Sequence, residues 1–444
     1  MGYNKPMADF RRIVKSLIPT NLFRIVEPYG HLLESVVMNV RYGFPSRHMH
    51  VVGVTGTNGK TTAAFMIHSM LVEAGIKTGL MTTVAYGIDD DIKPQVQHMT
   101  TISAGLLQKR LRQFKSQGVD WVVLETTSHA LAQHRIWGIP YEIAVMTNVT
   151  HEHLDYHRTF KRYIEAKLRL FKIVARHGRK IGVINADDLN ANQFIAVTTN
   201  PITYGIKGGQ LQARQLKLDA RGSRFNAKIN DSTYKIHCHI PGKFNVYNSL
   251  AAIAVAHEIG LSKQQIERGL DKLKSVEGRM TIVNEGQPFT VIVDFAHTPD
   301  SFERLLNDLR TSTKGRLITL FGSAGRRDEA KRAIQGEIAG RLSDEVILTE
   351  EDDRDVDGSK ILGEIATGAK EAGKVLDKNL FLILNREEAI GFALTRVKNA
   401  SDTVVLLGKG HEKTIERVDG TYPWNEIEVT KAALQELHKT NNKK

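Results

Sequence analysis

Cysteine is nearly absent: Cys238 is the only one in 444 residues. No intramolecular disulfide and no cysteine-based zinc site can therefore form. Cys238 stands in an alternating run, residues 234–240, that reads as a strand with the thiol as a small core group. Proline is also scarce, 11 residues against 36 glycines, with neither a collagen period nor a low-complexity run. Fibrous and disordered classes are excluded. Long apolar runs are missing as well. The most apolar early stretch, residues 22–44, is broken by Arg24, Glu27, His31, Glu34 and Arg41, so it does not span a bilayer. It reads as an amphipathic helix that either packs on the body or touches a membrane surface. Residues 1–8 are polar and no small-residue cleavage site follows an apolar core, so no signal peptide is expected. A reducing cytoplasm is the expected location.

What is present is an ordinary globular composition, 41% hydrophobic and 25% charged, with length enough for several domains. Lys and Arg number 61 against 49 Asp and Glu, a net charge of +12. That balance suits nucleic acid, an anionic surface or a phosphate-rich small substrate. The basic residues are dispersed, in runs no longer than pairs such as Arg326-Arg327 and the Lys443-Lys444 tail, and nucleic acid is not expected as a partner.

From His50 onward short apolar runs alternate with amphipathic helical windows, the pattern of an α/β fold with a largely parallel sheet. Strands are read at 51–55, 121–125, 143–147 and 181–185, and helices at 61–74, ended by Gly75, and 160–176. Over 208–240 the period changes to two, which predicts antiparallel strands appended to the sheet. Two helices follow at 246–260 and 263–273. A second α/β series has strands near 289–294, 316–321, 345–349, 380–384 and 403–407. With a boundary near 276–281, the expectation is a short N-terminal segment, 1–45, a central ATP-binding domain, 46–277, and a C-terminal Rossmann-like domain, 278–444.

The run Gly53-Val54-Thr55-Gly56-Thr57-Asn58-Gly59-Lys60-Thr61-Thr62 follows one strand and opens one helix. Its glycines let backbone N–H groups and the helix N-terminus face an anion. Lys60 reaches the terminal phosphates and the Thr61 hydroxyl suits Mg²⁺. Glu125 ends a strand and is followed by Thr126-Thr127-Ser128-His129; a carboxylate at a neighbouring strand end suits a second ligand to that ion, a buried helix cap being the alternative. After the strand at 143–147, residues 148–157 (NVTHEHLDYH) concentrate histidines and carboxylates in a loop. Such a loop serves metal or acid–base chemistry, or is simply solvated.

Taken together these residues resemble the Mur ligases, ATP-dependent amide-forming enzymes of peptidoglycan synthesis. Within the family the match is to ligases that add a diamino acid to UDP-N-acetylmuramoyl-L-alanyl-D-glutamate. The resemblance runs from about Val51 to the C-terminus. It rests on GTNGKTT at 56–62, Thr100-Thr101, ETTSHAL at 125–131, Asn148 with HLDYH at 153–157, and Ala166-Lys167 before Leu170-Phe171. It continues with GKFNVYN at 242–248, EGRM at 277–280, DFAHTP at 294–299 and GKGHE at 408–412.

The resemblance implies a two-step reaction in which ATP phosphorylates a carboxylate and an amine displaces phosphate from the acyl phosphate. ATP and Mg²⁺ are the implied cofactors, and the UDP-muramoyl-peptide and an amino acid the implied partners, with a monomer expected. ATP falls to Gly56, Thr57, Asn58, Gly59, Lys60, Thr61 and Thr62, with Asn245 and Asn248 at the adenine end and Asp294 and His297 from the C-terminal domain. The metal set is Thr61, Glu125, His153 and Lys167, the last as a carbamate; Lys60, Lys167, His153 and Glu125 form the catalytic group. Thr100, Thr101, Ser128, Gln133 and Arg135 match positions that hold the UDP-muramoyl-peptide. Arg327, Arg354 and Glu412 match positions that orient the amino acid. By themselves Lys167 is a helical lysine, Asn245 a helix cap, and Asp294 and His297 strand-end turn residues.

There are departures. The segment 1–45 stands where family members carry a whole N-terminal domain. Glu351-Asp352-Asp353-Arg354 aligns with the Asp-Asn-Pro-Arg of enzymes adding meso-diaminopimelate. Its extra carboxylates favour a cationic end such as that of lysine or ornithine, while the retained Arg favours diaminopimelate. Glu152 replaces an Asp, and a Thr replaces one Ser after Glu125. Related readings are a folylpolyglutamate- or cyanophycin-type ligase acting on another carboxylate, and a non-catalytic nucleotide-binding scaffold.

Overall fold

The computed structural model describes residues 20–95, 101–150, 152, 154–219 and 221–441. Two compact units result. One takes in the described residues of Met1–Gly56, Gly75–Val149 and His153–Thr203, the other Thr57–Ala74, Thr150–Glu152 and the described residues of Tyr204–Lys444.

The first unit is built on β1 (His50–Thr55), β2 (Thr78–Met81), β3 (Ala85–Ile88), β4 (Asp91–Pro94), β5 (Trp121–Glu125), β6 (Ile143–Met146) and β7 (Ile181–Asn185). Their order is β7-β6-β1-β5-β2-β3-β4. Pairing is parallel as far as β2, and β3 and β4 close the edge antiparallel. Strands buried on both faces explain the continuous apolar runs of β1, β5 and β6. Val51, Val122, Ala144 and Met146 face Tyr163, Leu170 and Phe171 of the helix Phe160–Val174 in one core.

The helix Thr20–Tyr42 packs on this unit: Ser35 Oγ donates to His134 O at 2.9 Å and Asn39 Nδ2 to Trp137 O at 2.8 Å. Its other side exposes Val26, Tyr29, Leu33, Val37 and Val40. Among the described residues no helix is long and apolar enough to cross a membrane.

β8 (Asn200–Gly205) carries the chain onward, and its end pairs with β9 (Leu211–Asp219). β10 (Gly222–Ile229) and β11 (Ser232–Cys238) continue antiparallel, as the two-residue period predicts. Cys238 is buried. In the same unit the helices Lys60–Glu73, Lys243–Ile259 and Lys263–Lys272 pack together. A second sheet runs β12 (Thr281–Ile282), β13 (Thr290–Asp294), β17 (Thr403–Leu407), β14 (Leu317–Phe321), β15 (Glu345–Leu348) and β16 (Leu380–Leu382). All but β12 are parallel. Val293, Ile318, Leu320, Ile347 and Leu406 form its core. The fold is α/β with a large, mostly parallel sheet and a second C-terminal one, as expected.

Four features depart from the sequence reading. The short meander β2–β4, the helix Ala104–Ser116 and the hairpin of β18 (Thr414–Arg417) with β19 (Gly420–Pro423) were not anticipated. Four-residue strands give too little periodicity to register. Residues 154–157, read as loop, form the helical turn Leu154–His157. His157 is tied down there by Ser128 Oγ at 3.0 Å and by ring contacts to Tyr156, His129 and Tyr163.

Candidate active site

In the first unit the polar groups gather at the carboxyl ends of β1, β5 and β6. Parallel register sets Val54 beside Glu125, so the glycine loop and this carboxylate leave the sheet at the same level. Glu125 is buried; Oε2 accepts from Thr83 N and Oε1 from Thr83 Oγ1, each at 3.0 Å. It faces the turn between β2 and β3, and the following helix, Ser128–Ala132, is capped by Thr127. Gly56, at φ +151°, is closely overlain by the Thr147 side chain, and a Cβ there would collide with Thr147 Oγ1. Lys167, on the buried face of its helix, donates from Nζ to Gly56 O at 2.6 Å. A helical lysine of no special role would instead point to solvent.

Beside this cluster Thr101 Oγ1 lies 3.0 Å from Thr127 Oγ1 and donates to Glu125 O at 3.3 Å. Buried Arg135 donates to Thr101 O, Ser128 meets His157, and Gln133 is half-buried. Sequence-predicted Thr101, Ser128 and Arg135 are thus brought together. Thr100 and His153 lie outside the described residues.

In the second unit Lys60 Nζ donates to Thr57 O at 2.6 Å, folding the lysine back over its own loop. Thr57 Oγ1 accepts from Thr150 N at 2.9 Å. Gly59 has φ +83° and precedes the helix Lys60–Glu73; a Cβ there would strike Asn248 Oδ1. This is the close approach and left-handed backbone that only glycine allows. Asn245 and Asn248 are buried on one helix, Asn248 Nδ2 donating to Asn245 Oδ1 at 2.8 Å. Asn245 also donates to Pro241 O at 2.6 Å, but the helix is capped at Gly242 with no side-chain cap hydrogen bond, so Asn245 is not its cap. Thr61 and Thr62 are buried in the first turn.

Asp294 Oδ2 accepts from Met280 N and Oδ1 from Ala296 N, each at 2.7 Å; burial pushes its carboxyl up. His297 is pushed down to about 4, first by burial and then by the Lys331 ammonium, which donates to His297 O at 3.0 Å. Asp294 ends β13, and its bond from Ala296 N closes the chain just past the strand.

Three contributors escaped sequence reasoning. Arg279 Nη2 reaches Thr61 Oγ1 at 3.4 Å. Asp300 accepts from Asn58 and Thr150. Lys409, fully buried, pairs with Asp352 Oδ1 at 2.8 Å and Glu412 Oε2 at 2.7 Å. EGRM contains Arg279 and GKGHE contains Lys409, whereas DFAHTP stops one residue short of Asp300.

Of the amino-acid group, Arg354 has φ +56°, donates to Glu416 Oε2 and Gly325 O at 2.6 Å each, and lines a cavity of ≈ 560 Å³. Glu350, Asp353, Asp357, Asn385 and Arg417 share that cavity. Burial, then the neighbouring Glu350 and Asp352 carboxylates, raise Asp353 to about 6. Arg327 is exposed on its loop, and it is the neighbouring Arg326 that lines a cavity with Arg354.

The chain matches the Mur ligase middle domain over residues 54–256 and the Mur ligase glutamate ligase domain over 278–410. A UDP-N-acetylmuramyl-tripeptide synthetase of Roseiflexus sp. (strain RS-1) is 40% identical over 410 residues, covering 89% of this chain and 80% of that protein. The chain belongs to the Mur ligase family. Its members are ATP-dependent ligases that form amide bonds, and the ones it matches act in peptidoglycan synthesis. A UDP-N-acetylmuramoyl-L-alanyl-D-glutamate–2,6-diaminopimelate ligase of Clostridium acetobutylicum is 39% identical over 400 residues, with 89% and 80% covered. A solved ligase of that same description superposes with TM-score 0.63 at 31% identity, covering 88% of this chain and 79% of that one. The folylpolyglutamate synthase of Mycobacterium tuberculosis superposes with TM-score 0.71 at 17% identity, over 91% and 95%; that likeness concerns the fold alone.

Proposed function

We propose that this ligase joins a diamino acid to the D-glutamate side of UDP-N-acetylmuramoyl-L-alanyl-D-glutamate. The observation that carries the reading is the approach of Lys167 Nζ to the carbonyl of Gly56 in the phosphate loop. That approach supports a reading in which the acyl phosphate forms beside this buried amine. The γ-phosphoryl group passes from ATP to the carboxylate and ADP leaves. The amino acid's amine then attacks the acyl carbon, loses a proton, and phosphate departs.

Lys60 and the loop N–H groups neutralise the transferring phosphoryl group. Asn245 and Asn248 take the adenine end, and Asp294 and His297 belong to the C-terminal contribution to ATP. The donor chemistry of Thr61, Glu125, His153 and Lys167 fits Mg²⁺, a hard cation that prefers oxygen, provided that Lys167 carries a carbamate. Bound there, the ion would offset charge on the phosphoryl oxygens. Thr100, Thr101, Ser128, Gln133 and Arg135 orient the muramoyl-peptide. Arg327, Arg354 and Glu412 orient the amino acid, beside a cavity whose carboxylates complement a second amine. The reading divides the work between a central domain, 46–277, and a C-terminal domain, 278–444.

The test measures phosphate release and product mass with ATP, Mg²⁺ and UDP-N-acetylmuramoyl-L-alanyl-D-glutamate, offering lysine, ornithine and meso-diaminopimelate separately. One product is expected with one of the three. No product with any of them, while ATP still binds, sinks the reading.

A further inference from the structure

A second cluster of metal-ligating chemistry lies on the antiparallel extension, built by strand period alone. His237 lies on β11 and His239 directly follows its last residue, Cys238, so the two histidines are two apart on one side of the chain while Cys238 is buried in the core. Their rings lie with centroids 3.9 Å apart. Asp271, near the end of the helix Lys263–Lys272, brings Oδ1 to 3.0 Å from His237 Nδ1 and 2.9 Å from His239 Nε2. The three ligand atoms all fall within 4.8 Å of one another. A tetrahedral ion with metal–nitrogen bonds of about 2.0–2.1 Å needs ligand atoms about 3.4 Å apart, so Asp271 Oδ1 has to back away from each ring nitrogen by about half an ångström, and the two nitrogens, which lie within 4.8 Å of each other, have to settle at the same spacing.

The hydrogen bonding of the cluster is contradictory without an ion. His239 Nε2 lies 2.9 Å from Asp271 Oδ1, which can only accept from it, and 2.8 Å from the Lys274 ammonium, which can only donate to it. One ring nitrogen carries either a proton or a lone pair. Lys274, also 3.6 Å from Asp271 Oδ2, thus occupies the place of a cation without satisfying the ring. Arg224, opposite His237 on β10, adds positive charge from the neighbouring strand. The imidazoles are half-exposed and Asp271 is more so, leaving room for solvent ligands.

We propose that His237, His239 and Asp271 form a site for a divalent transition metal of the zinc class, in which the ion displaces Lys274 from His239. Two imidazoles and one carboxylate suit such ions rather than Mg²⁺. Each neutral ring binds through a nitrogen lone pair and keeps its proton on the other nitrogen, so no net proton is released. Bound, the ion ties β11 to the helix Lys263–Lys272. That helix supports the one opening at the phosphate loop: Ser69 Oγ donates to Gly269 O at 2.6 Å. The site is independent of the reaction proposed above.

The test is calorimetric titration of the full chain with Zn²⁺ in excess Mg²⁺ and a non-chelating buffer, with Co²⁺ as a spectroscopic probe. One saturable Zn²⁺ site and a visible Co²⁺ band of low coordination number are expected. H237Q/H239Q loses both, and D271N weakens binding about 10- to 100-fold, the range typical for disturbed metal sites. K274M, which removes the competing ammonium, tightens it by about tenfold, close to 1.4 kcal/mol. These side chains are solvent-facing, and a melting curve checks that each variant folds. Absent binding in the wild type, undiminished binding in H237Q/H239Q, or affinity unchanged by K274M each overturns the proposal.

Discussion

Asn58 in the phosphate loop donates from Nδ2 to Asp300 Oδ2 at 2.9 Å. The same oxygen accepts from Thr150 Oγ1 at 3.0 Å. Asp300 begins the helix Pro299–Ser312, whose capping box is made by Thr298 and Ser301, so its own carboxylate is left to hold the loop. Hydrogen bonds to a charged acceptor contribute about 1.5–3 kcal/mol each. Asp300→Ala is expected to raise KM for ATP at least about tenfold, the equivalent of 1.4 kcal/mol, while the intact capping box keeps the melting temperature close to wild type. An unchanged KM would show that the loop holds its shape without Asp300.

Lys167 gives a sharper separation between chemistry and fold. Lys167→Ala removes the Nζ contact to Gly56 O and leaves a small cavity against Tyr163. A large-to-small change of this kind costs about 2–5 kcal/mol, which a chain with cores this large can absorb. Turnover, by contrast, is expected to vanish in a phosphate-release assay, with far-ultraviolet dichroism and a cooperative melt retained. Wild-type turnover in this variant would refute the carbamate assignment. A carbamate signal should appear by carbon NMR when ¹³C-bicarbonate is supplied to the wild type and be absent from the variant.

Much of this arrangement was legible in the sequence, for identifiable reasons. The strands at 121–125 and 181–185 were read with their observed bounds because both faces are buried and each apolar run is closed by one polar residue, Glu125 or Asn185. The glycine loop was legible because Gly59 has to accept a left-handed backbone under Asn248. Lys167 could be singled out only by resemblance, since nothing in a helical window shows that its amine turns inward. Asp300 and Lys409 stayed hidden for a different reason. Their partners, Asn58 and Asp352, are distant in sequence, and a carboxylate at a helix start or a lysine in a glycine-rich loop reads as a solvated surface. The meander 78–94 escaped because its strands are too short to declare a period.

Glu351 should make stability depend on pH. It is buried, and burial raises its carboxyl from 4.5 to about 7. A raised carboxyl keeps its proton in the folded state, so its contribution is complete below pH 4.5 and is lost as pH rises through about 7. Asp353, raised to about 6, acts in the same direction. His297, pushed down to about 4, acts oppositely: its contribution is present above its ordinary value of 6.5 and is lost as pH falls toward 4. Glu351→Gln mimics the protonated form. It is therefore expected to raise the melting temperature at pH 8, by the equivalent of about 3 kcal/mol from a shift at 1.36 kcal/mol per unit, and to leave it nearly unchanged at pH 4.5. Equal shifts at both pH values would mean that ionisation of Glu351 is not the cause.

The second sheet carries its own electrostatic test in Arg386 and Glu426, both wholly buried. Arg386 donates Nη2 to Glu426 Oε1 at 2.6 Å and Nε to Oε2 at 2.9 Å, and reaches Leu407 O at the end of β17 at 2.8 Å. Trp424 Nε1 donates to Glu426 Oε2 at 2.8 Å. Both charges are thus desolvated, and each is tolerable only because the other is present. Breaking such a pair from one side costs about 3–5 kcal/mol, whereas apolar replacement of both partners is often nearly neutral. Arg386→Met alone and Glu426→Leu alone should each lower the urea midpoint strongly. The double variant should be more stable than the two single losses added together, since no buried charge is then left without its counterion. Additive losses in that cycle would mean that the two side chains stabilise the sheet through separate packing contacts rather than through their mutual charge.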